Sequence, residues 1–75
     1  MMETFEKKFG QRVKEARHRA GLTQQEVAGE MFVTQNTVLN WEKGSRQPGL
    51  YTACKLAKLL NVSVGYLMTG EENEK

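Results

Sequence analysis

Aspartate is absent, and cysteine and histidine occur once each, as Cys54 and His18. Each shortage removes a class of chemistry. A single cysteine cannot form an internal disulfide. One histidine and one cysteine without aspartate cannot build a Cys/His or Asp-rich metal cage. A Ser-His-Asp arrangement lacks its acid and a zinc hydrolase lacks its ligands, which argues against an enzyme. No cofactor and no metal are therefore expected. No apolar run approaches the ~18 residues of a membrane span. The stretch from Met1 to Lys8 has no apolar core, so no signal peptide is expected. A free cysteine without an export signal points to a reducing cytoplasm.

What is there is an ordinary soluble composition. Hydrophobic residues make up 39% and charged residues 27% of 75 residues, close to the usual proportions for a globular chain. A chain this short buries only about 60% of the surface exposed when unfolded. Without a disulfide or a metal, a small hydrophobic core of packed helices has to hold it. One domain over residues 1–70 is expected, followed by a disordered acidic tail at 71–75.

The net charge of +2 is a weak hint of an anionic partner, but its distribution says more. Residues 1–20 carry Lys7, Lys8, Arg12, Lys14, Arg17 and Arg19 against Glu3, Glu6 and Glu15. Residues 44–60 carry Arg46, Lys55 and Lys58 with no acid. The segment between them holds Lys43 against Glu26, Glu30 and Glu42. Two basic blocks flank a nearly neutral middle. Solvated helix faces alone can produce such a pattern, so its meaning depends on what the middle contains.

Periodicity and punctuation give five helices. Phe5, Phe9, Val13, Ala16 and Ala20 recur at helical spacing and predict one inward face. Thr4 is the expected N-cap, and Gly21 stands where a positive φ ends the helix. Thr23-Gln24-Gln25-Glu26 is a capping-box sequence opening a second, short helix with Val27, Ala28 and Met31 inward. Thr34 opens a third helix with Val38 and Trp41 inward, stopped by Gly44. After Pro48-Gly49, the residues Leu50, Ala53, Cys54, Ala57 and Leu60 predict a fourth, which Asn61 can end in the left-handed region. On this stripe Cys54 reads as an inert small hydrophobe. The stretch from Val62 to Met68 alternates partly like a strand. Ser63 is a good N-cap, however, and a lone strand has no partner here, so a short fifth helix ending at Gly70 is preferred.

Two short helices joined through only Phe32 and Val33 must cross steeply, which describes a helix-turn-helix over residues 23–43. The first and fourth helices would wall in its apolar faces. The polar face of helix 34–43 then points outward, where it could enter the ~12 Å major groove of double-stranded DNA. That face carries Thr34, Gln35, Asn36, Thr37 and Asn40, with Lys43 near its end. Gln and Asn amides can make paired hydrogen bonds to the edge of adenine. Three amides within six residues behind a tight turn favour base readout over a merely solvated face.

The runs Gly21-Leu22-Thr23-Gln24-Gln25-Glu26-Val27-Ala28, Val33-Thr34-Gln35-Asn36-Thr37-Val38, Trp41-Glu42-Lys43-Gly44 and Lys55 to Ser63 resemble the phage repressor/Cro-type (XRE-like) family of regulators. The resemblance covers roughly residues 5–70. It implies an all-α, five-helix, lambda-repressor-like domain that binds palindromic operators as a homodimer. It further implies base readout by Gln35, Asn36, Thr37 and Asn40, and phosphate contacts from Gln24, Thr34, Lys43, Ser45 and Arg46. Gln24 would also brace the first readout residue. Arg17 is implied to pair with Glu42. That pairing has an independent reason, because an acid near a helix C-terminus opposes the dipole and wants a cation.

Three residues depart from the family pattern. Phe32 stands where the family favours glycine. A positive φ there costs about 1–2 kcal/mol, so either another turn conformation or a Phe32 packed onto the domain is expected. Gly29 inside the second helix loses about 1 kcal/mol relative to alanine without compensation. Leu39 sits among the amides, where it is either core or a contact to a thymine methyl group. Trp41 is expected in the core and His18 at the surface. Of Tyr51, Leu59, Tyr66 and Met68, those left outside the core are candidates for a dimer surface. The rival function is an antitoxin-like module that captures a protein partner and also binds its own operator.

Overall fold

The computed structural model describes residues 4–71, which form α1 (Phe5–Arg19), α2 (Gln24–Met31), α3 (Gln35–Lys43), α4 (Leu50–Leu60) and α5 (Val64–Thr69). Hydroxyl side chains set four of the starts. Thr4, Thr23, Thr34 and Ser63 each accept a bond from the backbone N–H three residues on, satisfying a donor that the first helical turn leaves open. At α2 the capping box is complete, with the Glu26 carboxylate accepting from the Thr23 N–H at 2.9 Å. The fold is the all-α, five-helix, lambda-repressor-like arrangement that the resemblance implies, without a strand among the described residues. The acidic tail beyond Glu71 lies outside them.

The ends of α1 to α4 share one device. Gly21, Phe32, Gly44 and Asn61 all adopt left-handed φ angles. The residue after each donates its N–H to a carbonyl five positions back: Leu22 to Arg17, Val33 to Ala28, Ser45 to Asn40 and Val62 to Ala57, at 3.0–3.1 Å. In three of these stops the donor is apolar, and Leu22, Val33 and Val62 all pack against the core, the usual companion of this motif. Phe32 meets neither expectation stated for it. Its backbone is left-handed, with φ 59° and ψ 41°, and its side chain is 88% exposed. The stop needs a left-handed residue followed by an inward one. Val33 takes the inward place, which turns Phe32 to solvent.

The core joins Phe9, Val13 and Ala16 of α1 with residues from every other helix, including the expected Val27, Ala28, Met31, Val38 and Trp41. Two stripes are shorter than their periodicity predicts. Phe5 and Ala20, at the ends of the α1 pattern, are exposed, because the neighbouring helices cover only its middle. In α4 the buried residues are Ala53, Leu56, Ala57 and Leu60. Leu50 and Cys54 face solvent, so Cys54 is not the buried hydrophobe expected. Leu56 lies outside the predicted stripe yet is fully buried. Nothing in the structure explains Gly29, which is exposed and has open space where a Cβ would stand.

Gly10 explains how closely α1 meets α3. A Cβ built on it would lie 2.5 Å from the Trp41 carbonyl oxygen and closer still to that of Glu42. Only a residue without a side chain lets the two backbones approach this far. This contact sets the platform from which α3 projects.

Candidate nucleic-acid interface

The candidate site starts from a buried charge pair. Arg17 of α1 donates from Nε to Glu42 Oε2 at 2.6 Å and from Nη2 to Oε1 at 3.1 Å. Both side chains are almost wholly shielded, at 9% and 3% exposure. A two-pronged guanidinium–carboxylate bond fixes orientation as well as separation. The remaining Arg17 nitrogen, Nη1, donates to the Leu22 carbonyl at 3.0 Å, which ties the turn before α2 to the same group. Nη2 also lies 3.1 Å from His18 Nε2. His18 itself is exposed, as expected. No buried side-chain nitrogen or oxygen among the described residues lacks a partner, so this buried ionic cluster avoids the penalty of an unsatisfied group.

From this pair a chain of bonds reaches the surface. Gln24, the first residue of α2, donates Nε2 to Glu42 Oε1 at 3.0 Å. Its other amide atom, Oε1, accepts from Gln35 Nε2 at 3.4 Å. A buried arginine on α1 is thereby linked, through α3 and α2 in turn, to the first side chain of α3. The long last bond leaves Gln35 free to exchange this contact for another.

Helical geometry spreads the other candidates over the outward side of α3. Val38, Trp41 and Glu42 are buried, and Asn36 stands on the opposite face. Asn36, Leu39 and Lys43 are exposed, while Thr37 and Asn40 are half-buried at the margin. Leu39 is 36% exposed, which places it on the polar face and not in the core. Thr34 caps the helix: its Oγ1 accepts from the Thr37 N–H at 3.1 Å and lies 2.9 Å from Thr37 Oγ1. After the helix, the N–H groups of Ser45 and Arg46 both donate to the Asn40 carbonyl, at 3.0 and 3.3 Å. The loop is folded back against the helix end, with the Ser45 and Arg46 side chains exposed.

Three residues that bear on the site escaped the sequence reading of roles. Gly10 sets the spacing of α1 and α3, and its only signal was a glycine in the middle of a strongly periodic helix. Arg12 counted only as a surface charge, yet its Nη1 donates to the Leu67 carbonyl at 3.1 Å and binds α1 to the end of α5. The sequence marks Phe32 as a departure from the family's glycine but carries no signal of its exposure. No group of three His, Cys, Asp or Glu residues among those described is arranged to hold a metal ion.

Residues 13–67 match the helix-turn-helix family model. The chain is 42% identical over 67 residues to the HTH-type transcriptional regulator ImmR of Bacillus subtilis (strain 168), covering 89% of this chain and 53% of that protein. It is 38% identical over 64 residues to the cryptic phage CTXphi transcriptional repressor RstR of Vibrio cholerae, covering 85% of this chain and 58% of that one. The chain thus spans a little over half the length of these curated relatives. Among solved structures, the master regulator for biofilm formation SinR, in complex with DNA, superposes with a TM-score of 0.72 at 28% identity, over 79% of this chain and 95% of that one.

Proposed function

The chain belongs to the helix-turn-helix family, and from that premise we propose that it is a sequence-specific double-stranded DNA-binding transcriptional regulator acting as a repressor. The observation that carries this reading is the outward face of α3. It presents Gln35, Asn36 and Asn40 with Leu39 and Thr37, while the buried Arg17–Glu42 pair holds the helix from behind. Inserted into a major groove, the amides read base edges by paired hydrogen bonds, and Leu39 contacts a thymine methyl group. Gln24, Thr34, Lys43, Ser45 and Arg46 lie at the ends of the reading helix and its neighbour, where phosphates pass. Thr34 and Gln24 already hold intrachain bonds, so their share is to position α3 as much as to bind phosphate. The similarity to transcriptional regulators supports the same function, and the superposed SinR structure contains DNA.

The regulator acts as a homodimer on a near-palindrome with half-sites about 34 Å apart. A +2 chain has little electrostatic hold on DNA by itself, so two copies are needed for useful affinity. Occluding the promoter then represses. The second copy is assigned to the α4–α5 side, where Leu50 and Tyr51 are 73% and 75% exposed beside a groove lined by Cys54, Lys58, Val62 and Val64. No helix among the described residues is long and apolar enough to cross a membrane, and the cytoplasm, where DNA is accessible, is the proposed location.

Selection of bound sequences from random duplex DNA by the purified chain tests the whole reading. A shared motif with two-fold symmetry is the expected result. Failure to enrich any motif refutes sequence-specific binding. An asymmetric single half-site refutes the dimer.

A further inference from the structure

Five described residues have left-handed backbones, and four of them are of types that tolerate it: Gly21, Gly44, Gly70 and Asn61. The fifth is Phe32. Its ring gains nothing from the domain, being 88% exposed. A glycine would make the same helix stop without strain. A strained residue with no internal reward suggests a role outside the molecule.

Position narrows that role. Phe32 precedes the α3 cap Thr34 by two residues, a separation of at most about 7 Å along the chain. It sits at the end of α3 that carries Gln35 and Asn36, and no acid lies between Met31 and Trp41. The other large exposed hydrophobics apart from Leu39 are Phe5 on α1 and Leu50 and Tyr51 on α4. A stable protein interface buries about 800 Å² on each partner, which a lone ring between the exposed Glu30 and the cap Thr34 does not supply. A DNA edge requires far less, since the major groove presents one apolar group, the thymine methyl, and phenylalanine is among its apolar partners.

We propose that Phe32 is a specificity-determining DNA contact, packing its ring on a thymine methyl group that flanks the positions read by α3. This inference rests on the DNA-binding reading above. It adds a thymine preference outside the amide-read positions, specified without a hydrogen bond.

Phe32→Gly and Phe32→Asn both suit a left-handed backbone, so both variants fold. The probe is the duplex obtained from random-pool selection, with binding read by fluorescence anisotropy and folding by thermal melting. Both variants are expected to melt no lower than the parent and to bind about tenfold more weakly. Replacing thymines by uracil one at a time should reveal a flanking position whose methyl group matters to the parent and not to either variant. Unchanged affinity in both variants overturns the proposal and leaves Phe32 for a protein surface. Weakened binding without any methyl-dependent position also overturns it. These outcomes are distinct from failure of the underlying reading, in which the parent itself binds no duplex selectively and Gln35→Ala changes nothing.

Discussion

At the scale of single residues, the site depends on a few side chains with little redundancy. Arg17 reaches Glu42 through two bonds and the Leu22 carbonyl through a third. Arg17→Ala would leave a buried carboxylate without its cation, a change that typically costs about 3–5 kcal/mol. Thermal unfolding should show a clear drop in Tm, and an unchanged Tm would mean that the pair does not support the fold. Gln35 tests readout. Gln35→Ala should weaken binding by about 1–3 kcal/mol and relax the preference at one base position, as seen by repeating the duplex selection with the variant. Equal weakening on all sequences would move Gln35 from the base-reading set to the backbone-contacting one. That Glu42 wants a cation was legible in the sequence, since an acid near a helix C-terminus opposes the dipole, but Arg17 as its partner was implied only by the family resemblance. The bond from Gln24 to Glu42 was not, because nothing in the spacing of those residues tells that an amide on α2 reaches the same carboxylate.

At the scale of elements, local chemistry and packing divide the work. The caps at Thr4, Thr23, Thr34 and Ser63 and the stops at Gly21, Gly44, Asn61 and Gly70 all stand where the sequence signals place them. Such signals are legible because a cap is a bond between a residue and its own helix three positions away. The width of each buried stripe was less so. Periodicity marks which side chains share a face, but the length of the covering helices decides that Phe5, Ala20 and Leu50 stay outside. The α1–α3 contact is the sharpest case. Gly10→Ala puts a methyl group against two backbone carbonyls of α3, which cannot yield as a flexible side chain would. The variant should lose about 1–3 kcal/mol in denaturant unfolding, the usual cost of overpacking, and because α3 must shift to relieve the clash, DNA affinity should fall as well. Full stability in that variant would show that the helices can part without cost.

At the scale of the whole molecule, the proposed function divides affinity, supplied by charge and assembly, from sequence preference, supplied by α3 and the turn before it. The described body extends 31 × 30 × 22 Å, a size that suits one groove segment per copy, so the proposed two-fold operator calls for a second copy at the other half-site. Arg46, exposed beside the end of α3, tests the phosphate contribution. Arg46→Ala should weaken binding to all duplexes alike and reduce the slope of log affinity against log salt by about one unit. An unchanged slope would remove Arg46 from the phosphate contacts. The exposed Leu50 and Tyr51 belong to the proposed dimer surface, and sedimentation across a range of concentrations should reveal a reversible dimer.

The sequence by itself determined the number of helices, four of their capped starts, the stops at Gly21, Gly44, Asn61 and Gly70, the helix-turn-helix and the row of amides on α3 proposed to read DNA. These follow from interactions that are short-range along the chain, or from a pattern dense enough to identify a family. Only the tertiary structure decided how α1 seats α3 through Gly10, how Arg17, Glu42, Gln24 and Gln35 form one connected series, and that Cys54 and Phe32 face solvent. Those features depend on residues far apart in the chain meeting in space, or on which neighbour claims the inward place at a turn. At residue 32 both levels act together: the helix stop imposes the left-handed backbone, and the inward packing of Val33 leaves the ring outside.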